Sequence, residues 1–104
     1  MAYQSTFHAL ADPTRREIFA HLASEPSAVG DIAKTFPVSR PAVSQHLKVL
    51  SDAGLVSAKA SGTKRIYSVE TKKLQELRAW IDGMWNAALS AFAEAAEKEA
   101  KNVD

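Results

Sequence analysis

The 104-residue chain contains no cysteine. That single absence removes disulfides, thiolate metal centres and thiol redox switches from consideration. Histidine is scarce as well: His8, His21 and His46 stand far apart and form no HxH or HxxxH pair. No run of about 18 apolar residues could span a bilayer. The first residues, Met1 to His8, lack a basic segment followed by an apolar one, so the reading is of a cytoplasmic protein without a secretory signal. There is no glycine-rich phosphate loop, no paired catalytic carboxylates and no Ser/His/Asp constellation. An enzyme is therefore not expected, and neither is a cofactor or a metal.

What remains is enough for one small domain. The formal net charge is only +1, but it is unevenly spread. From Ser39 to Val69 five cations (Arg40, Lys48, Lys59, Lys64, Arg65) face one anion (Asp52), a local charge of +4. The preceding segment carries −1 and the segment from Glu70 onward carries −2. A basic middle third points to a polyanionic partner.

Hydrophobic periodicity and end signals divide the chain into elements. A first helix spans about Gln4 to Leu10, with Phe7 and Leu10 on one side. Asp12-Pro13 is a cap followed by proline in the first turn, opening a helix to about Ala23. Ser24-Glu25-Pro26-Ser27 reads as a turn. A short helix from Val29 to Phe36 is stopped by Pro37. Ser39 caps the next helix, whose buried stripe is Val43, Leu47 and Leu50, and Gly54 stands where a left-handed C-cap is wanted. Two helices in series across a short break make a helix-turn-helix.

Leu55–Ala60 and Lys64–Val69, joined around Gly62, read as a β-hairpin in which Val56 and Ala58, and Ile66 and Ser68, alternate with their neighbours. A hairpin with a basic tip, directly after such a helix, is a wing. Thr71 is expected to cap a long last helix over about 72–100. Leu77, Ile81, Met84, Ala88 and Phe92 recur along it at helical spacing, with Trp80 and Trp85 beside them. So small a domain cannot cover that stripe, which predicts a homodimer through Phe7, Leu10, Leu77, Trp80, Ile81, Met84, Trp85, Ala88 and Phe92.

Three segments then carry a family likeness. Ala9-Leu10-Ala11-Asp12-Pro13-Thr14-Arg15-Arg16-Glu17-Ile18-Phe19 resembles the opening signature of ArsR-type regulators. Val38 to Leu50 (VSRPAVSQHLKVL) resembles their recognition helix, and Asp52-Ala53-Gly54-Leu55-Val56 is similar to the exit into their wing. The resemblance implies a mainly α, winged helix-turn-helix fold in the order α-α-α-α-β-β-α, and a transcriptional repressor. It does not carry metal sensing. Where metal-sensing members have Cys-x-Cys, this chain has Ala28-Val29-Gly30-Asp31-Ile32, and no histidine follows His46. The likeness is to the metal-independent branch.

The expected DNA-binding residues are Ser39, Arg40, Pro41, Ser44, Gln45, His46 and Lys48 on the recognition helix. On the wing they are Lys59, Gly62, Thr63, Lys64, Arg65 and Tyr67. Gln45 suits adenine and Arg40 suits guanine. His46 is open to either a packed role or a phosphate contact. The competing reading is a winged-helix protein-interaction module without specific DNA binding. The sequence names neither an inducer nor an operator.

Overall fold

Asp12 and Ser39 set two of the helix starts, and both act through their side chains. Asp12 Oδ1 accepts the Arg15 amide at 3.0 Å and Ser39 Oγ accepts the Ala42 amide at 3.3 Å. Each serves an N–H that has no partner inside its own helix. The computed structural model describes Tyr3–Asn102, and in it the elements run α1 (Gln4–Ala11), α2 (Pro13–Ser24), α3 (Val29–Thr35), α4 (Arg40–Asp52), β1 (Val56–Ser61), β2 (Lys64–Val69) and α5 (Thr71–Asn102). This is the expected order. Several ends differ by a residue. The Phe36 amide closes α3 by donating to Ile32 O, and α5 takes in Thr71 as its first residue, not as its cap. Glu70 stays outside that helix, with its amide held at 2.8 Å by Leu55 O.

The chain forms two compact units, and the boundary falls inside α5 after Leu74. The core of the first unit is Ile18 and Leu22 of α2, Ile32 of α3, Val43, Leu47 and Leu50 of α4, and Leu55, all essentially without solvent contact. Burying one such aliphatic side chain stabilises by about 1.5–3 kcal/mol. α1 packs on α2 and α4, α3 on α4 and β2, and α4 on β1. The α4 exit is a Schellman turn: Leu55 N donates to Leu50 O and Gly54 N to Ser51 O, each at 2.9 Å, with Gly54 at φ +77°.

The elbow between α1 and α2 is held by two arginines. Arg15 Nε donates to Ala9 O at 2.7 Å and its Nη2 to His8 O at 3.3 Å, while Arg16 Nη1 reaches Leu10 O and Ala11 O. These are the last four carbonyls of α1, which no intrahelical donor can serve.

The strands pair antiparallel from Val56↔Val69 to Ser61↔Lys64 across a two-residue loop, with Gly62 at φ +61°. In this register Ala58 stands opposite Tyr67 and Lys59 opposite Ile66, so Tyr67 and Val69 share the inner face with Val56. A shift of one residue exchanges the faces, and the short loop fixes which one wins. The segment read as a plain turn is also more ordered than expected. Ser27 is buried and forms a bridge to Tyr67 through both backbone bonds, Ser27 N→Tyr67 O at 3.1 Å and Tyr67 N→Ser27 O at 2.9 Å.

The second unit is the helical stretch of α5 from Gln75 onward. Leu77 is buried and Trp80 half-buried. Beyond them Ile81, Met84, Trp85, Leu89 and Phe92 are all exposed, from 41% for Ile81 to 72% for Phe92. Ile81, Met84 and Trp85, then Leu89 and Phe92, fall along one side of the helix. Among the described residues, no helix is long and apolar enough to cross a membrane.

Candidate nucleic-acid interface

The sequence of α4 divides cleanly into two faces. Val43, Leu47 and Leu50 carry no solvent-accessible surface, whereas Arg40, Pro41, Ser44, Gln45 and Lys48 are exposed, with the capping residue Ser39 beside them. The buried stripe anchors the helix and leaves its N-terminal half free on the outside. That polar face holds an amide, a hydroxyl and a guanidinium, the groups that read base edges in a major groove.

His46 sits at the edge of this face, half-buried, with Nδ1 3.4 Å from Arg15 Nη1. One ring nitrogen is thus engaged inside the protein. Lys48 is also partnered: Nζ lies 3.2 Å from Asp52 Oδ2, one turn further along the exposed side. The wing supplies Lys59, Gly62, Thr63, Lys64 and Arg65 as exposed residues, and Tyr67 as a half-buried one tied to Ser27.

Two clefts connect these parts. The smaller, about 220 Å³, lies between α4 and the hairpin and is lined by Ser44, Lys48, Ser51, Asp52, Arg65 and Tyr67 among others. It brings α4 and the wing to one groove. The larger, about 600 Å³, lies between α3, the start of α4 and the wing. Its apolar side is Ala28, Val29 and Ala33; its cations are Lys34, Arg40, Lys64 and Arg65; Asp31 is its one carboxylate. Arg40 lies over Gly30, where an added Cβ would stand 3.4 Å from its Nη2. Lys34 belongs to the acidic first segment of the sequence, and nothing in the local pattern places it beside the wing.

His21 is accounted for structurally. Its Nε2 is 3.3 Å from Ser27 Oγ and its ring meets Phe36 edge-on at 5.7 Å. Asp12 is held below the ordinary carboxylate value, first by the Arg15 amide it accepts and then by the charge of Arg15. Among the described residues, no three His, Asp or Glu side chains gather into a group able to hold a metal ion.

A helix pair, a polar outer face on its second, capped helix and a basic antiparallel wing define a winged helix-turn-helix transcriptional regulator. Comparison with known proteins agrees. Residues 10–57 match a family model described as a helix-turn-helix domain. The HTH-type transcriptional regulator Rv2034 of Mycobacterium tuberculosis is 48% identical over 93 residues, covering 89% of this chain and 87% of its own. The transcriptional repressor SdpR of Bacillus subtilis is 38% identical over 77 residues, covering 74% and 86%. The structure of an ArsR-like transcriptional regulator from Rhodococcus sp. RHA1 superposes with a TM-score of 0.77 at 32% identity, covering 91% and 92% of the two chains. A solution structure of the homodimeric winged helix-turn-helix DNA-binding domain of Mb0332 from Mycobacterium bovis, a possible ArsR-family regulator, gives a TM-score of 0.67 at 27% identity, covering 82% and 79%. The chain belongs to the ArsR family of helix-turn-helix transcriptional regulators.

Proposed function

We propose that this regulator is a cytoplasmic repressor that binds an inverted-repeat operator as a homodimer. The observation that carries the reading is the division of α4, with its apolar stripe fully buried and Arg40, Ser44, Gln45 and Lys48 all outside. Helix-turn-helix proteins insert the N-terminal part of this second helix into the major groove. Gln45 offers an amide that pairs with adenine N6 and N7, and Arg40 a fork that pairs with guanine O6 and N7. Ser39, Pro41, Ser44 and His46 flank these two within reach of base edges or phosphates. Lys59, Gly62, Thr63, Lys64, Arg65 and Tyr67 lie along the backbone, where they supply affinity more than sequence choice.

The dimer rests on Phe7 and Leu10 of α1 and on the row Leu77, Trp80, Ile81, Met84, Trp85, Ala88 and Phe92 of α5. The exposure of Ile81, Met84, Trp85 and Phe92 in the single chain supports it, because soluble monomers rarely expose so continuous an apolar face. The Mycobacterium bovis domain is homodimeric by its own description. Leu77 is already buried within one chain and adds least to the contact. Two copies would set their reading helices about 34 Å apart, one duplex turn, and so select a two-fold symmetric site. SdpR is a repressor by name, and occupation of a promoter by a dimer blocks polymerase without further chemistry.

Selection of bound duplexes from a randomised pool tests the reading. The expected product is a palindromic consensus bound by a protein that sediments as a dimer. Recovery of no shared sequence would overturn it in favour of a protein-interaction role.

A further inference from the structure

We infer that Lys34 of α3 is part of the surface that holds the DNA backbone, and that it contributes more to that surface than Lys48 of the reading helix. The inference rests on the DNA-binding reading above and adds a position outside the helix and wing that the sequence pattern marks.

The fold carries Lys34 out of the acidic first segment into the larger cleft, beside Arg40, Lys64 and Arg65. Among the described residues, none of these four cations makes an ion pair or a side-chain hydrogen bond. Only Asp31 offers a compensating charge in the cleft, and its carboxylate is bonded to none of them. Four unpaired cations around one concave surface focus a positive potential there. Their walls come from α3, from α4 and from the wing. An extended anion running from the wing across to the first helix of the pair would meet all of them. A nucleic-acid strand has that form, with successive phosphates along one edge.

Lys48 looks the better candidate in sequence, because it lies on the outer face of α4. Its ammonium, however, already has a counterion in Asp52 at 3.2 Å. Affinity for DNA rises largely through release of cations condensed on the duplex, one for each protein charge that replaces them. A lysine that shares its charge with its own carboxylate replaces fewer of them. Lys34 brings a full uncompensated charge.

The test is the salt dependence of binding, measured by fluorescence anisotropy between 50 and 200 mM KCl. The probes are the selected palindromic duplex and an unrelated duplex of the same length. Lys34→Ala is expected to lower the log–log slope by about 0.9 for each copy that meets a phosphate, and to weaken both duplexes by the same factor. Lys34→Arg is expected to keep the wild-type slope, and Lys48→Ala to lower it by less than Lys34→Ala does. Lys34 is exposed, so thermal unfolding should not move. A wild-type slope in Lys34→Ala, or an equal drop in Lys48→Ala, would overturn the inference. Either result, with a wild-type protein that still prefers the palindrome, leaves the functional reading standing. A wild-type protein without any preference fails that reading instead.

Discussion

Arg15 Nη1 lies 3.4 Å from His46 Nδ1, and a guanidinium can only donate. The His46 Nδ1 lone pair must therefore accept, which puts the proton of the neutral ring on Nε2. The same arginine holds His8 O and Ala9 O at the end of α1. One side chain thus ties α1, α2 and the reading helix together. In a long-range ¹H–¹⁵N spectrum His46 should show the Nε2–H tautomer; a Nδ1–H pattern would mean that the contact is absent in solution.

Arg15 should also matter for stability. Removing a half-buried arginine that serves two carbonyls and a ring nitrogen leaves acceptors without donors, at a cost of about 1–3 kcal/mol. Arg15→Lys should recover little of it, because an ammonium cannot span the same fork of acceptors. Urea unfolding of wild type, Arg15→Ala and Arg15→Lys checks this, and full rescue by lysine would count against the geometry.

Gln45 and Arg65 should fail in different ways. Gln45→Ala is expected to lose about 1–3 kcal/mol of discrimination at one base pair, with other positions unchanged. Arg65→Ala should weaken all duplexes alike. Binding to a panel of single-base operator variants separates the two, and an unchanged specificity profile in Gln45→Ala would remove that residue from the reading face.

The two positive-φ glycines should not be equivalent. Alanine at either position enters the left-handed region at about 1–2 kcal/mol. At Gly54 the new Cβ would also stand 3.2 Å from Lys73 Cγ, while at Gly62 nothing lies within 4 Å. Gly54→Ala should thus show the larger loss of stability in denaturant melts. The opposite ranking would show that the α4 exit relaxes more easily than the wing tip.

Asp12 predicts an acid-side dependence. Its folded carboxyl is held below the ordinary value, first by the Arg15 amide, so the cap it provides is present above the unfolded value and is lost as pH falls through the folded one. Asp12→Asn still caps the helix but no longer titrates. Stability measured from pH 6 to pH 2 should therefore fall less steeply on its acid limb in Asp12→Asn than in wild type. Parallel curves would assign the acid sensitivity to other carboxylates.

Local signals were legible in the sequence because they act over a few residues. Asp12 and Ser39 cap as their types require, Gly54 ends α4 as a left-handed residue, and the 3.6-residue stripe of α4 is the one that is buried. The parts that escaped are long-range or made by backbone. The Ser27–Tyr67 bridge joins residues 40 apart through main-chain atoms only, so neither side chain advertises it. The face of β2 depends on pairing register, and the alternation along the strand does not by itself say which face is the inner one. Arg15 and Arg16 look like surface charges until the end of α1 is folded beneath them. The Lys48–Asp52 pair was within reach of sequence, since four-residue spacing brings such side chains together on a helix.

The bond between Ser27 and Tyr67 has a consequence for how quickly and how tightly a duplex is gripped. A bare two-stranded ribbon is marginal in water and would have to be straightened by its target, at a cost in freedom paid during the encounter. Here the strand that bears Arg65 is stitched at its inner end to the segment before α3. A ribbon that grips a duplex as proposed would meet it already set, and the loss of freedom would fall on folding instead of on recognition.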